Sequence, residues 1–342
     1  MKIKFIPPAA ALLSLPFACA LAASGGNSTG QILKLGVGAR NAALGDAGAA
    51  DSWDSSAIFW NPAGLGFVKR CSVSTSYSSL FESVSHGAAS AACPVDSLGA
   101  LAVGGQFLNY GKIASRDNQG ALDGEFSPSD KVFSASWGFG VGKIAAFGVT
   151  AKRLSVKIDE HASANAADIG LMLRFSAITV GAALKNTRGK LKLGEVSENL
   201  PKTATIGAKA DLDPITIMAD MNSAKDGGWI SGGAEYYFSP KSEGSPVTLR
   251  AGYSTRMKTK GNNLTFGAGI AEKSWALDYA LVPYGELGLT HHLTVSYLFG
   301  KTARKTSARI KDKSEPFQDR RGLPSDHVIL IPTEMIPQNY KP

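Results

Sequence analysis

The chain is poor in the residues that metal centres, disulfide frameworks and membrane helices require. Its 342 residues include three cysteines and five histidines. His86, His161 and His327 are scattered, and His291-His292 are neighbours in a strand-like stretch, so their side chains point to opposite faces and cannot chelate one ion. Asp46, Asp51 and Asp54 form the one early carboxylate cluster, but the Gly and bidentate Glu of a calcium loop are missing. Gly36-x-Gly38 has no third glycine and no following Lys-Ser/Thr, so it is not a nucleotide loop. Ser85-His86 has no orienting partner in sequence, which leaves no catalytic triad. These absences point to a protein without enzymatic residues, metal or cofactor. No run of about 18 apolar residues occurs, so no spanning helix is expected.

What the chain has is alternation. Trp275, Leu277, Tyr279 and Leu281 interleave with Ala276, Asp278, Ala280 and Val282. Ile215, Ile217, Ala219 and Met221 interleave with Thr216, Met218, Asp220 and Asn222, and the stretches at 203–212 and 247–254 repeat the pattern. A period of two means a sheet with unlike faces. The mid-strand charges Arg174, Lys185, Lys209, Asp220, Glu235, Arg250 and Asp278 all fall opposite the large apolar residues. A long sheet that is greasy outside and wet inside, with no helices to cover it, fits a barrel in lipid. About fourteen strands are expected, at 72–80, 86–94, 99–110, 131–140, 142–156, 167–175, 177–186, 203–212, 215–223, 229–238, 247–256, 263–272, 275–283 and 290–299. Short connections near 140–142 and 176–177, and longer polar ones at 111–130, 158–166, 187–202 and 240–246, suit the short-turn and long-loop ends of such a barrel. The fold class is therefore all-β, an antiparallel transmembrane β-barrel.

The ends differ from the middle. Residues 1–22 read as a secretory signal, with Lys2 and Lys4, an apolar stretch and Ala20-Leu21-Ala22. Residues 23–70 are Gly- and Ala-rich and precede the barrel at 71–300. Residues 301–342 form a basic, Pro-containing flexible tail. The net charge of +8 resides mostly in the ends, +2 in residues 1–23 and +4 in 301–342, which argues against nucleic acid as a partner. An even strand count returns the chain to the side it entered, so both termini are expected in the periplasm. Cys71 and Cys93 lie at the start and end of a predicted hairpin, where antiparallel pairing can oppose them; a disulfide and two small buried thiols both remain open.

Several stretches carry a family resemblance. Residues 31–40 (QILKLGVGAR), followed by 56–65 (SAIFWNPAGL), resemble the N-terminal signature of the PorV/PorQ family, which is similar to long-chain fatty-acid transporters of the FadL type. Residues 181–186, 233–238 with 247–253, and 278–300 resemble further family stretches in the same order. The resemblance implies a fourteen-stranded outer-membrane barrel with an N-terminal hatch in its lumen. It implies an accessory or scaffold role in protein secretion or surface-protein handling of the type IX kind, with secreted cargo or secretion-system components as partners beside outer-membrane lipid. The alternative is a FadL-like transporter of hydrophobic small molecules. The tail and His292, where the family usually has Arg, depart from the pattern.

Two groups of residues are candidate sites. Asn61, Pro62, Ala63 and Gly64 form the hatch motif, where Pro fixes φ and the small residues allow close approach to the wall, as a gate or as an anchor. Arg174, Lys185, Glu235, Arg250 and Asp278 are expected to face the lumen, lining a polar path or pairing with one another and the hatch. Lumenal Gly207, Gly233, Gly252, Gly267 and Gly269 suggest spare room and no greasy patch.

Overall fold

In the computed structural model, residues 29–299 are described apart from 52, 53, 118, 159, 160, 239–244, 257–262 and 273. The expected signal at 1–22 and tail at 301–342 lie outside the described residues. The strands are β1 (Cys71–Ser79), β2 (Ser85–Pro94), β3 (Ala100–Asn109), β4 (Ile113–Arg116), β5 (Leu122–Phe126), β6 (Ser129–Val141), β7 (Ala145–Lys157), β8 (His161–Phe175), β9 (Ile178–Lys185), β10 (Lys190–Leu193), β11 (Val196–Asn199), β12 (Thr203–Asp211), β13 (Ile215–Ala224), β14 (Gly227–Phe238), β15 (Val247–Ser254), β16 (Leu264–Glu272), β17 (Trp275–Pro283) and β18 (Leu289–Phe299). Fourteen of them close an antiparallel barrel in the order β1-β18-β17-β16-β15-β14-β13-β12-β9-β8-β7-β6-β3-β2. The pairs β4–β5 and β10–β11 form two separate hairpins inside the connections at 110–128 and 186–202.

Closure joins the first and last barrel strands, with Cys71 opposite Phe299 and Ser79 opposite His291. The β1–β2 register sets Ser72 opposite Ala92, and one step further the sulfurs of Cys71 and Cys93 are bonded.

The connections sort into two mouths. One, here the turn mouth, carries short links such as Ser176-Ala177 between β8 and β9. The other, the loop mouth, carries both hairpins. Two expectations change. Residues 240–246 connect β14 to β15 and so belong to the turn mouth, not with the other long loops. Residues 161–166, expected in a polar loop, are the first part of β8. That strand has fifteen residues, whereas crossing a bilayer takes about 9–11 tilted residues. Its first turns are polar outside (His161, Ser163, Asn165), and Arg153 of β7 bonds Asn165 and Ser163 across the pair.

The outer surface is apolar. Phe133 is 66% exposed, Ile217 47% and Leu277 36%, while Asp278 on the inner face is 3% exposed. Near the turn mouth the rings of Trp137, Phe139 and Phe147 cluster on this surface, and the Trp137 indole donates to the Leu98 carbonyl (2.7 Å). Amphipathic rings at the edge of an apolar belt mark a lipid–water boundary. Among the described residues no helix is long and apolar enough to cross a membrane.

An arginine at Leu277 or Ile217 should destabilise the barrel by roughly 2–4 kcal/mol near the bilayer midplane. The check is urea unfolding in phospholipid vesicles. A cost near zero at both positions would reverse the inside–outside assignment.

Candidate functional site: the hatch and the lumenal wall

The N-terminal segment lies inside the barrel and runs its whole depth. It begins at the loop mouth with a turn of 3-10 helix, Gln31–Lys34. The Lys34 amine pairs with Asp226 (2.6 Å) in the β13–β14 turn, and Arg256 donates to the Lys34 carbonyl (2.7 Å). Helix α1 (Ala39–Ala43), helix α2 (Ala57–Trp60) and a 3-10 turn (Pro62–Phe67) follow before β1 leaves at the turn mouth. The sequence placed both ends of the protein on one side. Even strand count does bring Cys71 and Phe299 together; residue 29, the first described, sits at the opposite mouth because the hatch threads the lumen between, and the termini themselves lie outside the described residues.

Glycines on the inner wall are occupied contact points, which corrects the expectation of spare room. A Cβ on Gly148 would fall 2.7 Å from the Ala63 nitrogen, and one on Gly138 2.8 Å from the Pro62 carbonyl. One on Gly233 would fall 2.8 Å from the Leu44 Cα. At Gly170 it would overlap the Asn61 side chain, and at Gly181 the Ala49 carbonyl. Gly36 likewise leaves space for the Asp46 carboxylate. The hatch backbone therefore touches the wall directly around β6–β9 and β14–β16.

The Asn61-Pro62-Ala63-Gly64 motif is a capped turn docked on that wall. Asn61 is extended (φ −148°), as a residue before proline prefers, and its side-chain oxygen accepts from the Ala63 N–H (3.1 Å). Its amide donates to the carbonyls of Ala49 (2.7 Å) and of Leu171 in β8 (3.2 Å). One side chain thus ties two limbs of the hatch to the barrel. All four motif residues are buried.

A chain of alternating charges holds the other side. Lys209 of β12 pairs with Asp51 (2.8 Å) and Asp211 (3.2 Å). Asp51 pairs with Arg40 of α1, which reaches Glu235 of β14 (2.7 Å). Arg250 of β15 bridges Glu235 (3.0 Å) and Asp278 of β17 (2.8 Å). Asp220 of β13 accepts from the backbone N–H groups of Gly48 (2.8 Å) and Ala49 (3.0 Å). Buried charge is tolerated because each ion has partners of the other sign or backbone donors. Of the five charges read from the sequence, Glu235, Arg250 and Asp278 meet here. Lys185 stands apart, its amine 5.2 Å from the Trp60 ring centre, and Arg174 lies over Phe67 (4.0 Å) at the turn mouth. Sequence reasoning missed Arg40, although a lone arginine in an Ala/Gly segment bound for a lumen calls for an acidic partner. It also missed a second buried pair, Lys152–Asp168 (2.6 Å), beside Asn186.

Acidic groups of the hatch and of the loop-mouth connections beside it are also perturbed. Burial raises the Asp46 carboxyl, and the nearby charges of Arg256 and Lys185 only partly offset this. Burial and the Asp46 charge push the Tyr284 hydroxyl up to about 12. At Asp226 burial works upward, but the Lys34 hydrogen bond and charge outweigh it and hold the carboxyl below its ordinary value.

At the loop mouth the lumen turns apolar. Ile32 of the hatch packs with Leu108, Val132, Leu154 and Val156 of the wall and with Leu191 of the β10–β11 hairpin. All six are under 5% exposed. The greasy patch that the sequence did not show is therefore present, assembled from lumenal positions of separate strands and covered by a hairpin.

No protein-family model and no curated protein matches the chain. Solved barrels resemble it in fold. The Ralstonia pickettii toluene transporter TbuX superposes with a TM-score of 0.52 at 14% identity, covering 78% of this chain and 99% of that one. The P. putida toluene transporter TodX gives 0.53 at 11% identity, over 78% and 99% of the two chains. The CymD monoaromatic hydrocarbon channel gives 0.53 at 12%, over 78% and 98%. At such identities the likeness is one of fold, a closed barrel that in this chain has fourteen strands. The PorV/PorQ resemblance stands on its motifs alone.

Two outcomes follow for the hatch. Arg40→Ala leaves Asp51 and Glu235 buried with one cation each, and should destabilise hatch seating by about 3 kcal/mol, the lower end for a broken buried pair. It should also open residues 36–50 to protease in the intact barrel; protection equal to the parent would contradict this. A raised carboxyl is stabilising while protonated, and that contribution is lost as pH climbs from its unfolded value, near 3.8 for Asp46, through the folded one. Asp46→Asn should therefore raise thermal stability at pH 7 and flatten the acid-side pH dependence, read by circular-dichroism melting. Asp226 has the opposite sign: its contribution is present at neutral pH and is lost as pH falls below about 4.

Proposed function

We propose that the protein is an outer-membrane transporter of hydrophobic small molecules in a diderm bacterium, with the loop mouth facing out and the turn mouth facing the periplasm. It needs no cofactor and performs no covalent chemistry. The observation that carries this reading is the buried apolar cluster around Ile32 and Leu154 at the loop mouth. A pore for polar solutes has a polar lumen at its entrance, whereas apolar side chains gathered there suit a hydrophobic ligand. The fold it shares with toluene transporters and a monoaromatic hydrocarbon channel supports the same reading. The Asn61-Pro62 turn acts as anchor in this account, since its hydrogen bonds tie the hatch to β8. A scaffold role in secretion has the sequence motifs behind it and no feature of the fold.

Uptake should be measured in intact cells in which this barrel is the only hydrocarbon channel, because a lipopolysaccharide surface, unlike plain phospholipid, excludes hydrocarbons. Cells with the parent protein should take up a labelled monoaromatic hydrocarbon faster than cells without it. Leu154→Asp should remove that gain while the folded barrel still reaches the membrane. Equal uptake with and without the parent protein would sink the transporter reading.

A further inference from the structure

The hatch meets the wall through backbone and charge contacts in most sectors, and on β18 through a hydrogen bond from the Ala39 N–H to Thr294 (2.8 Å). Around β6–β9 and β14–β16 the contact is backbone on glycine, and ion pairs on β12 and β14 bind the two. On β18, β1 and β2 the inner face is different. Its register stacks rows of hydroxyls: Thr294 beside Ser76, then Ser296 beside Ser74 beside Ser90. Above them Ser78 bonds His292 (2.8 Å), which bonds Thr290 (3.1 Å).

Between these rows and two limbs of the hatch lies a cavity. Its hatch side is formed by Gly38, Arg40 and Asn41 on one limb and by Asp54 and Phe59 on the other, and Asp278 of β17 joins its wall. About 30 Å³ of it is open to the centres of water molecules, room for about two waters. The Ser90 hydroxyl lines it, is 7% exposed and has no hydrogen-bond partner among the described residues. A buried hydroxyl without a protein partner is satisfied by water. On one side the cavity meets an apolar cluster through Val37, Phe59 and Ala88, which pack with Trp60 of α2 and with Ala92 and Ala102 of the wall. The Ser55 N–H closes the corner by donating to Ser72 (2.9 Å).

We propose that this chamber is the route past the hatch for water and small uncharged hydrogen-bonding solutes. Hydroxyls replace hydration along β18, β1 and β2, and the apolar cluster at α2 is the door. This goes beyond the hydrophobic reading above, which concerns the apolar cluster at the mouth, and the two stand or fall separately.

Glycerol entry into proteoliposomes, followed by light scattering, tests it. Vesicles with the parent protein should swell faster than protein-free vesicles. The double change Ser74→Leu and Ser90→Leu should return the rate toward the protein-free value, and Ser134→Leu, on β6 outside the chamber, should not. Parent vesicles no faster than empty ones, or a folded double variant as permeable as the parent, would overturn the proposal. Should the double variant fail to fold, Ser90→Cys gives a second reading. Its thiol should react with a small neutral methanethiosulfonate in the folded barrel, and a thiol that stays unreacted would overturn the route.

Discussion

The backbone of a chain in hydrocarbon must bond to itself, because no water is there to take its N–H and C=O groups. Everything else in this protein follows from that. The β1–β18 pairing removes the edges that an open sheet would expose. Once closed, the sheet has an outside that must be apolar and an inside that need not be. Phe133, Ile217 and Leu277 face out, and Asp220, Glu235 and Asp278 face in.

Closure creates a second demand, since a barrel of fourteen strands leaves a lumen too wide for its own side chains to fill. The hatch fills it with backbone as much as with side chains. Glycine and alanine on both surfaces bring the chains into contact, and the remaining mismatch of polar groups is resolved by ion pairs and by Asp220 and Asn61 bonding hatch backbone. Apolar and polar functions then separate by depth. Ile32 brings grease to the loop mouth, and the Ser/Thr rows near the barrel seam line the polar cavity.

Much of the barrel was legible because lipid imposes size and polarity contrast between alternate residues, as along Trp275–Pro283. The contrast fails where strands leave the bilayer. The first turns of β8 carry Ala162, Ala164 and Ala166 inside and Ser163 and Asn165 outside, so they read as loop. The hairpins β4–β5 and β10–β11 project at the mouth and carry mixed residues for the same reason. The lumenal orientation of Glu235, Arg250 and Asp278 was visible, but their pairing with one another and with Arg40 was not, because alternation fixes a face and says nothing of partners far apart in sequence. The apolar cluster was hidden for a related cause: Leu108, Val132 and Leu154 come from three strands, and each alone looks like an ordinary residue. Nor does composition reveal that residue 29 starts at the far mouth. That depends on the hatch passing through the lumen from end to end.

The central claim is that the loop mouth holds a hydrophobic ligand site above a seated hatch. Soaking crystals of the protein with a brominated monoaromatic compound and locating bromine by its anomalous scattering tests it most directly. The account places bromine among Ile32, Leu108, Leu154 and Leu191, with the hatch still in the lumen. Bromine found only along the outer apolar belt, with none inside the barrel, would contradict it.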